Sequence, residues 1–95
     1  MHRDHPVNEF HNVVADGVQF IDVREPHEVA EGSLPGAVNI PLNTLPDRVA
    51  ELDSSLRTVV LCRSGGRSTQ ACQFLVARGF GDVVNLDGGM LAFRG

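Results

Sequence analysis

Residues 58–78 contain three segments in an order that limits the possible folds. The run Thr58-Val59-Val60-Leu61 predicts a buried β-strand, and residues 67–78 have the apolar spacing of a helix. A turn that begins at Cys62 and contains two glycines joins them. A strand that leads directly into a helix is one half of a βαβ unit, and such units build parallel sheets.

The rest of the chain alternates in the same way. We therefore expect an α/β fold in one domain, 1–95, with a parallel sheet covered by helices on both faces and with residues 1–6 as a loose tail. A short first strand is expected near Val7, and the first helix is expected to begin at Asn8. The other predicted strands are 18–23, 37–40 and 83–86, and the other predicted helices are 26–31, 42–52 and 90–94.

The composition excludes several classes of protein. A hydrophobic content of 42% is ordinary for a globular domain, and a net charge of −4 argues against general nucleic-acid binding. The chain has no apolar run long enough for a membrane span, and its start lacks the apolar core of a signal peptide. Two cysteines make no disulfide scaffold, and His2 and His5 lack further ligands for a metal. A cytoplasmic location is the default expectation.

Three turns follow predicted strands and should share one edge of the sheet. They are residues 22–24, 62–67 and 87–89. In an open parallel sheet, ligands bind beyond the carboxyl ends of the strands. The pattern predicts a shallow site centred on Cys62, beside an acidic-basic pair and a glycine-rich turn.

Cys62 has the surroundings of a reactive thiol. Gly65 and Gly66 tolerate positive φ, so the turn can direct several backbone N–H groups at one centre, and a helix N-terminus favours an anion. We expect a lowered pKa and nucleophilic character; a small buried hydrophobic residue is the alternative. Cys72 is expected to pack in the core rather than act as a second reactive thiol, and no Cys62–Cys72 disulfide is expected.

The charged neighbours have candidate roles, each with a structural alternative. Arg67 could contact an anion or bridge to a loop carboxylate, and Arg63 could add positive potential or be a solvated charge. Asp22 is a candidate acceptor that fixes the cysteine turn, and Arg24 is expected to form a structural ion pair with Glu25 or Glu28. Asp87, which precedes Gly88, is a candidate cap for the last helix, and His27 is expected at the surface. The candidate anion-binding loop is Arg63, Ser64, Gly65, Gly66, Arg67 and Ser68.

Four motifs in this order resemble the rhodanese-like domain, over roughly residues 7–94. They lie at 21–28, 32–41, 62–68 and 86–93. The resemblance implies a five-stranded parallel sheet of order 3-2-4-5-1, and a Cys62 that accepts sulfane sulfur as a persulfide. Ser33 stands where the family usually has His, and Phe93 where it usually has Trp; we interpret both changes as structural.

The resemblance also implies an activity. The expected reaction moves sulfane sulfur from a small anionic donor such as thiosulfate to cyanide or a thiol, with no metal or organic cofactor. Related phosphatases have five residues between cysteine and arginine, whereas four separate Cys62 from Arg67. A tighter loop suits one terminal sulfur better than a phosphate, so phosphatase or arsenate reductase chemistry is less favoured. A carrier of persulfide between proteins is the main alternative, and a non-enzymatic docking module is disfavoured by the intact loop.

Overall fold

The computed structural model describes residues 1–95 and contains one five-stranded, all-parallel sheet. The spatial order β1-β5-β4-β2-β3 is the expected 3-2-4-5-1 arrangement described from the opposite edge. The strands are β1 Arg3–Pro6, β2 Gln19–Asp22, β3 Val38–Asn39, β4 Thr58–Leu61 and β5 Val83–Asp87. The helices are α1 Pro26–Val29, α2 Leu45–Arg48, α3 Gly66–Ala77 and α4 Gly89–Ala92, with 3-10 helices at Val7–Asn12, Leu42–Thr44 and Val49–Glu51.

Each face of the sheet has its own apolar core, which confirms the three-layer arrangement. All four side chains of β4 are buried, and they alternate between the faces as strand geometry requires. Val60 packs beneath α2 and α3, together with Cys62 and Cys72. Val59 and Leu61 pack on the other face, against the 3-10 helix at 7–12 and residues around α4.

The N-terminal residues differ from the expected loose tail. Arg3–Pro6 forms β1, which pairs in parallel with β5 so that Asp4 lies opposite Asn85. An edge strand is joined to the sheet by backbone hydrogen bonds, so its polar side chains give no apolar alternation to detect. The first strand therefore precedes Val7, which is buried and begins the 3-10 helix.

The segment expected as one helix over 42–52 is interrupted. It consists of a 3-10 turn, the short α2 and a second 3-10 turn, with φ −99° at Thr44 and φ −110° at Arg48. Leu45 and Val49 still reach the core, and Leu52 packs against it. The apolar spacing was therefore a correct guide to the buried face but not to the continuity of the helix.

A buried ion pair closes the connection from β2 to β3. The Arg24 guanidinium donates to both carboxylate oxygens of Asp22, with Nε–Oδ1 at 3.0 Å and Nη2–Oδ2 at 2.8 Å. Arg24 also donates to the Gly32 carbonyl at 2.7 Å, and the Ser33 hydroxyl donates to Asp22 Oδ2 at 2.7 Å. A structural ion pair was expected for Arg24, but its carboxylate partner is Asp22 rather than Glu25 or Glu28.

Asp22 does not have the role predicted for it. Its side-chain bonds go to Arg24 and Ser33, so it fixes the loop between α1 and β3 and not the cysteine turn. The prediction rested only on the expectation that Asp22 and Cys62 lie at the same edge of the sheet.

The structure has no helix whose length and apolar character would allow it to cross a lipid bilayer.

We expect Arg24→Met to destabilise the protein by about 3–5 kcal/mol, because it leaves a buried carboxylate without its partner. The matched control is Arg3→Met, since Arg3 pairs with Asp82 at 3.0 Å with side chains 54% and 37% exposed. That change should cost at most about 1 kcal/mol. Urea unfolding of the two variants measures both values, and equal small losses would show that the buried pair is not structural.

Candidate active site

Cys62 lies at the carboxyl end of β4, where the chain turns into α3. Gly65 is the residue before the helix and has φ +109°, a conformation that favours glycine. This turn brings the Gly65 backbone N–H to 2.9 Å from Cys62 Sγ. The Ser68 hydroxyl, in the first turn of α3, lies 3.2 Å from the same sulfur. The thiol is thus held between a backbone donor and a side-chain hydroxyl.

These contacts alter the acidity of the thiol. Burial is the largest single influence on the pKa of Cys62 and acts to raise it. Hydrogen bonds from the Ser68 hydroxyl, and from the backbone N–H groups of Ser68, Gly65 and Ser64, act in the opposite direction and outweigh burial. The pKa of Cys62 therefore lies below its ordinary value, which is the condition for a nucleophilic thiolate.

The loop around the thiol is exposed on its outer side. Arg63, Ser64 and Gly66 are exposed, whereas Cys62 itself is only 1% exposed. Gly66 does not have positive φ, so of the two loop glycines only Gly65 uses that freedom. The buried Cys62 side chain is therefore covered by loop residues that are themselves exposed to solvent.

The turn after β5 packs directly on the cysteine loop. The backbone N–H of Met90 donates to the Cys62 carbonyl at 3.0 Å, and that of Leu91 donates to the Arg63 carbonyl at 2.9 Å. A Cβ at Gly89, which has φ +58°, would lie 2.5 Å from both carbonyl oxygens. Glycine at this position is what allows the two backbones to come so close.

Two other predictions for this turn have different outcomes. Asp87 was a candidate cap for α4, but the residue at that position is Gly88 and it makes no side-chain bond. Asp87 is exposed, and its carboxylate lies near Gly65. Gly88 has φ +86°, and a Cβ on it would lie 2.6 Å from the Ala92 side chain, so it is required for packing of α4.

Arg67 forms an ion pair with Glu28 of α1. Its Nη1 and Nη2 donate to the two carboxylate oxygens, at 2.5 and 2.8 Å. Hydrogen bonds from Arg67, and a further one from the Glu25 backbone N–H, lower the pKa of Glu28 to about 2. This is the bridge to a loop carboxylate that was the alternative to an anion contact, and it occupies both terminal nitrogens of the guanidinium.

The three turns predicted to share one edge of the sheet differ in how they contact one another. Met90 and Leu91, which directly follow the turn at 87–89, donate to residues of the turn at 62–67, whereas the Asp22–Arg24 pair makes no hydrogen bond to the cysteine loop. Glu28, which follows that pair in the chain, supplies the link through Arg67. His27 is exposed.

Cys72 lies in the core under α3. It is fully buried and free, and burial raises its pKa to about 12. Cys62 is also free. The two thiols thus have opposite properties, and only Cys62 has the donors that favour ionisation.

Asn85 is a contributor to the site that sequence reasoning missed. It is 2% exposed, and its Oδ1 accepts a hydrogen bond from the Ser68 hydroxyl. Its Nδ2 donates to Asp4 Oδ1 at 3.0 Å. A polar amide inside an otherwise apolar buried strand was the available signal, because a buried amide requires partners.

The model of the rhodanese-like domain family matches residues 7–95. The chain belongs to the rhodanese-like domain family. A sulfurtransferase of Allochromatium vinosum is 41% identical over 78 residues, covering 82% of this chain and 73% of the relative. The thiosulfate sulfurtransferase GlpE of Stutzerimonas stutzeri is 34% identical over 89 residues, covering 94% and 82%. The crystal structure of a rhodanese-like domain protein from Staphylococcus aureus aligns with a TM-score of 0.86 at 33% identity, over 97% and 91% of the two chains.

The two departures from the rhodanese-like pattern have structural roles here. Ser33 donates to the buried Asp22 carboxylate at 2.7 Å. Phe93 packs against the second core, with its ring 6.0 Å from that of Phe10 in an edge-on arrangement. Neither residue contacts the cysteine loop through a hydrogen bond.

We expect Gly89→Ala to destabilise the protein by at least about 2 kcal/mol, through positive φ and a clash with two backbone carbonyls. It should also slow alkylation of Cys62, because the loop must shift to make room. Gly81→Ala is the control, since a Cβ at Gly81 meets no atom within 4 Å. Thermal unfolding measures the loss of stability, and iodoacetamide kinetics measure the alkylation of Cys62. A wild-type alkylation rate in Gly89→Ala would contradict the expected shift of the cysteine loop.

Proposed function

We propose that this protein is a sulfurtransferase that moves sulfane sulfur from a small anionic donor such as thiosulfate through a persulfide on Cys62. The observation that carries the proposal is the pair of contacts on Cys62 Sγ, which accepts from the Gly65 N–H at 2.9 Å and lies 3.2 Å from the Ser68 hydroxyl. Membership of the rhodanese-like family, with relatives named sulfurtransferases, supports it. The lowered pKa of Cys62 supports a thiolate nucleophile that acts without a separate general base.

In the first step, the Cys62 thiolate attacks the outer sulfur of thiosulfate. A bond forms between Cys62 Sγ and that sulfur, and the bond to the sulfonate sulfur breaks. Its electron pair leaves with sulfite, and the negative charge stays on the terminal sulfur of the persulfide. Backbone N–H groups of residues 63–67 are the candidate donors to that charge, at the N-terminus of α3.

In the second step, a nucleophilic acceptor attacks the terminal sulfur of the persulfide. The sulfur–sulfur bond breaks and its electron pair returns to Cys62 as thiolate. Cyanide serves as acceptor in an assay and yields thiocyanate, and a thiol is the proposed acceptor in the cell. The cycle needs no net oxidant or reductant beyond donor and acceptor.

The Arg67–Glu28 pair favours a second candidate function. A thiosulfate site benefits from free positive charge, but the terminal nitrogens of Arg67 are held by a carboxylate. A protein that receives persulfide sulfur from another protein has less need of that charge. Transfer between proteins, with slow use of thiosulfate, is therefore the alternative. The same pairing disfavours phosphatase chemistry, which uses an arginine fork to bind phosphate oxygens.

Exposure to thiosulfate should add the mass of one sulfur atom to the wild-type protein, and cyanide should then release thiocyanate. We expect Cys62→Ser to show neither, because no thiolate is present to attack. Cys72→Ser is the matched control, and it should retain loading because Cys72 is buried with a raised pKa. Intact mass and thiocyanate formation measure the two steps. Sulfur on Cys72 would refute the assignment, and loading without thiocyanate would favour the carrier.

Arg67 and Glu28 allow a test of the donor charge. If Arg67 attracts thiosulfate, Arg67→Ala should raise the KM for thiosulfate by a factor of about 2 to 5, the scale of a half-exposed charge interaction. Glu28→Gln should lower that KM, because it releases the guanidinium. Steady-state kinetics with thiosulfate and cyanide give both values. Equal KM values in the wild type, Arg67→Ala and Glu28→Gln would show that Arg67 only forms the structural ion pair and does not attract thiosulfate.

A further inference from the structure

The Ser68 hydroxyl has one proton and three groups within hydrogen-bond distance that are able to accept it. Its oxygen lies 3.2 Å from Cys62 Sγ and 3.1 Å from the Gly65 carbonyl, and it is hydrogen-bonded to Asn85 Oδ1. All of these groups are buried. Only one acceptor can receive the proton at a time.

The Gly65 carbonyl has other donors. It accepts from the Thr69 backbone N–H at 3.0 Å and from the Thr69 hydroxyl at 2.7 Å. It therefore does not depend on Ser68. The competition for the Ser68 proton is between the Cys62 sulfur and the Asn85 oxygen.

The orientation of the Asn85 amide is set by its other end. Nδ2 donates to Asp4 Oδ1 at 3.0 Å and to Thr69 Oγ1 at 3.4 Å. The Asp4 carboxylate is an acceptor only, and the Thr69 proton is used on Gly65, so both groups require the NH₂ side of the amide. The oxygen of Asn85 must then face Ser68, where no other donor reaches it.

We propose that Asn85 is a positioning residue whose amide oxygen, oriented by Asp4 from the edge strand, competes with Cys62 Sγ for the proton of Ser68. In the thiol form, the Cys62 S–H donates to Ser68 Oγ and Ser68 donates to Asn85. In the thiolate form, Ser68 turns its proton to the sulfur, and Asn85 Oδ1 loses its donor. The buried oxygen left unpaired makes ionisation of Cys62 less favourable than the two donors alone would make it.

Formation of a persulfide on Cys62 should also change which group receives the Ser68 proton. In the persulfide the charge is on the terminal sulfur, so Sγ becomes a weaker acceptor and the Ser68 proton returns to Asn85. This part of the inference rests on the proposed persulfide, whereas the competition for the proton requires only that Cys62 ionises.

Several other titratable or charged groups surround Cys62, on the elements that pack around it. Arg67 and Cys72 lie on α3, and their pKa values are influenced by charge on Cys62. Asp4 on β1 influences the pKa of Cys72, and Asp87 lies beside Gly65 at the end of β5. The remaining groups are the Asp22–Arg24 pair at the end of β2, Glu28 and Glu25 near Arg67, and the exposed Arg63.

The test is the pH dependence of Cys62 alkylation by iodoacetamide. Trypsin separates the two thiols, since Cys62 lies in residues 58–63 and Cys72 in residues 68–78. Asn85→Val removes the competing oxygen without a change of charge, and it should lower the midpoint of the profile by about one pH unit. Ser68→Ala should raise the midpoint, because the donor to the thiolate is lost.

A double-variant comparison separates this role from a structural one. In the Ser68→Ala background, Asn85→Val should shift the midpoint no further. Asp4→Asn is the second variant if Asn85→Val does not fold, because it lets the amide turn and release the Ser68 proton; its shift should shrink in the Ser68→Ala background, where only the loss of charge remains.

An unchanged or raised midpoint in Asn85→Val, or the same shift with and without Ser68, would overturn the proposal. Alkylation involves no thiosulfate, so these results stand apart from those of the sulfur-transfer assay. Loss of sulfur loading with an intact alkylation pattern would refute the proposed function alone.

Discussion

The backbone carbonyls of Cys62 and Arg63, which follow β4, need hydrogen-bond donors, and the segment after β5 supplies them. The N–H groups of Met90 and Leu91 satisfy the carbonyls of Cys62 and Arg63. Because these acceptors are bound from outside the loop, the loop N–H groups remain free to point inward at the sulfur. The acidity of Cys62 therefore depends on a contact between two turns that are distant in sequence. Gly89 is the residue that makes the contact possible.

Much of the framework could be predicted from residue patterns. The bounds of β4 match the prediction because three of its four residues are apolar and all four are buried, which gives a clear sequence signal. The long helix α3 was also predicted, since its apolar positions follow helical spacing and Gly79 ends it. The position of Cys62 between them follows directly from these two elements.

The edge strand and the pairing of charges could not be predicted in the same way. Arg3–Pro6 has no alternation of apolar and polar residues. The strand is held in the sheet by backbone hydrogen bonds to β5, which leave no pattern in the sequence. Arg67 and Glu28 are 39 positions apart, and only the docking of α1 beside the cysteine loop brings them together. Asp22 pairs with Arg24 and Ser33 rather than with the cysteine loop, and these partners are only 2 and 11 positions away in the chain.

The pairing of β1 with β5 has a consequence for the order of assembly. Asp4 and Asn85 are 81 positions apart, whereas β4 and α3 are adjacent in the chain. Contacts between distant segments form late, because a long loop must close first. A partly folded chain thus lacks both the carbonyl partners of the cysteine loop and the amide beside Ser68. The proposed competition between Cys62 and Asn85 for the Ser68 proton, with Asp4 orienting the amide, therefore arises only once β1 has paired with β5.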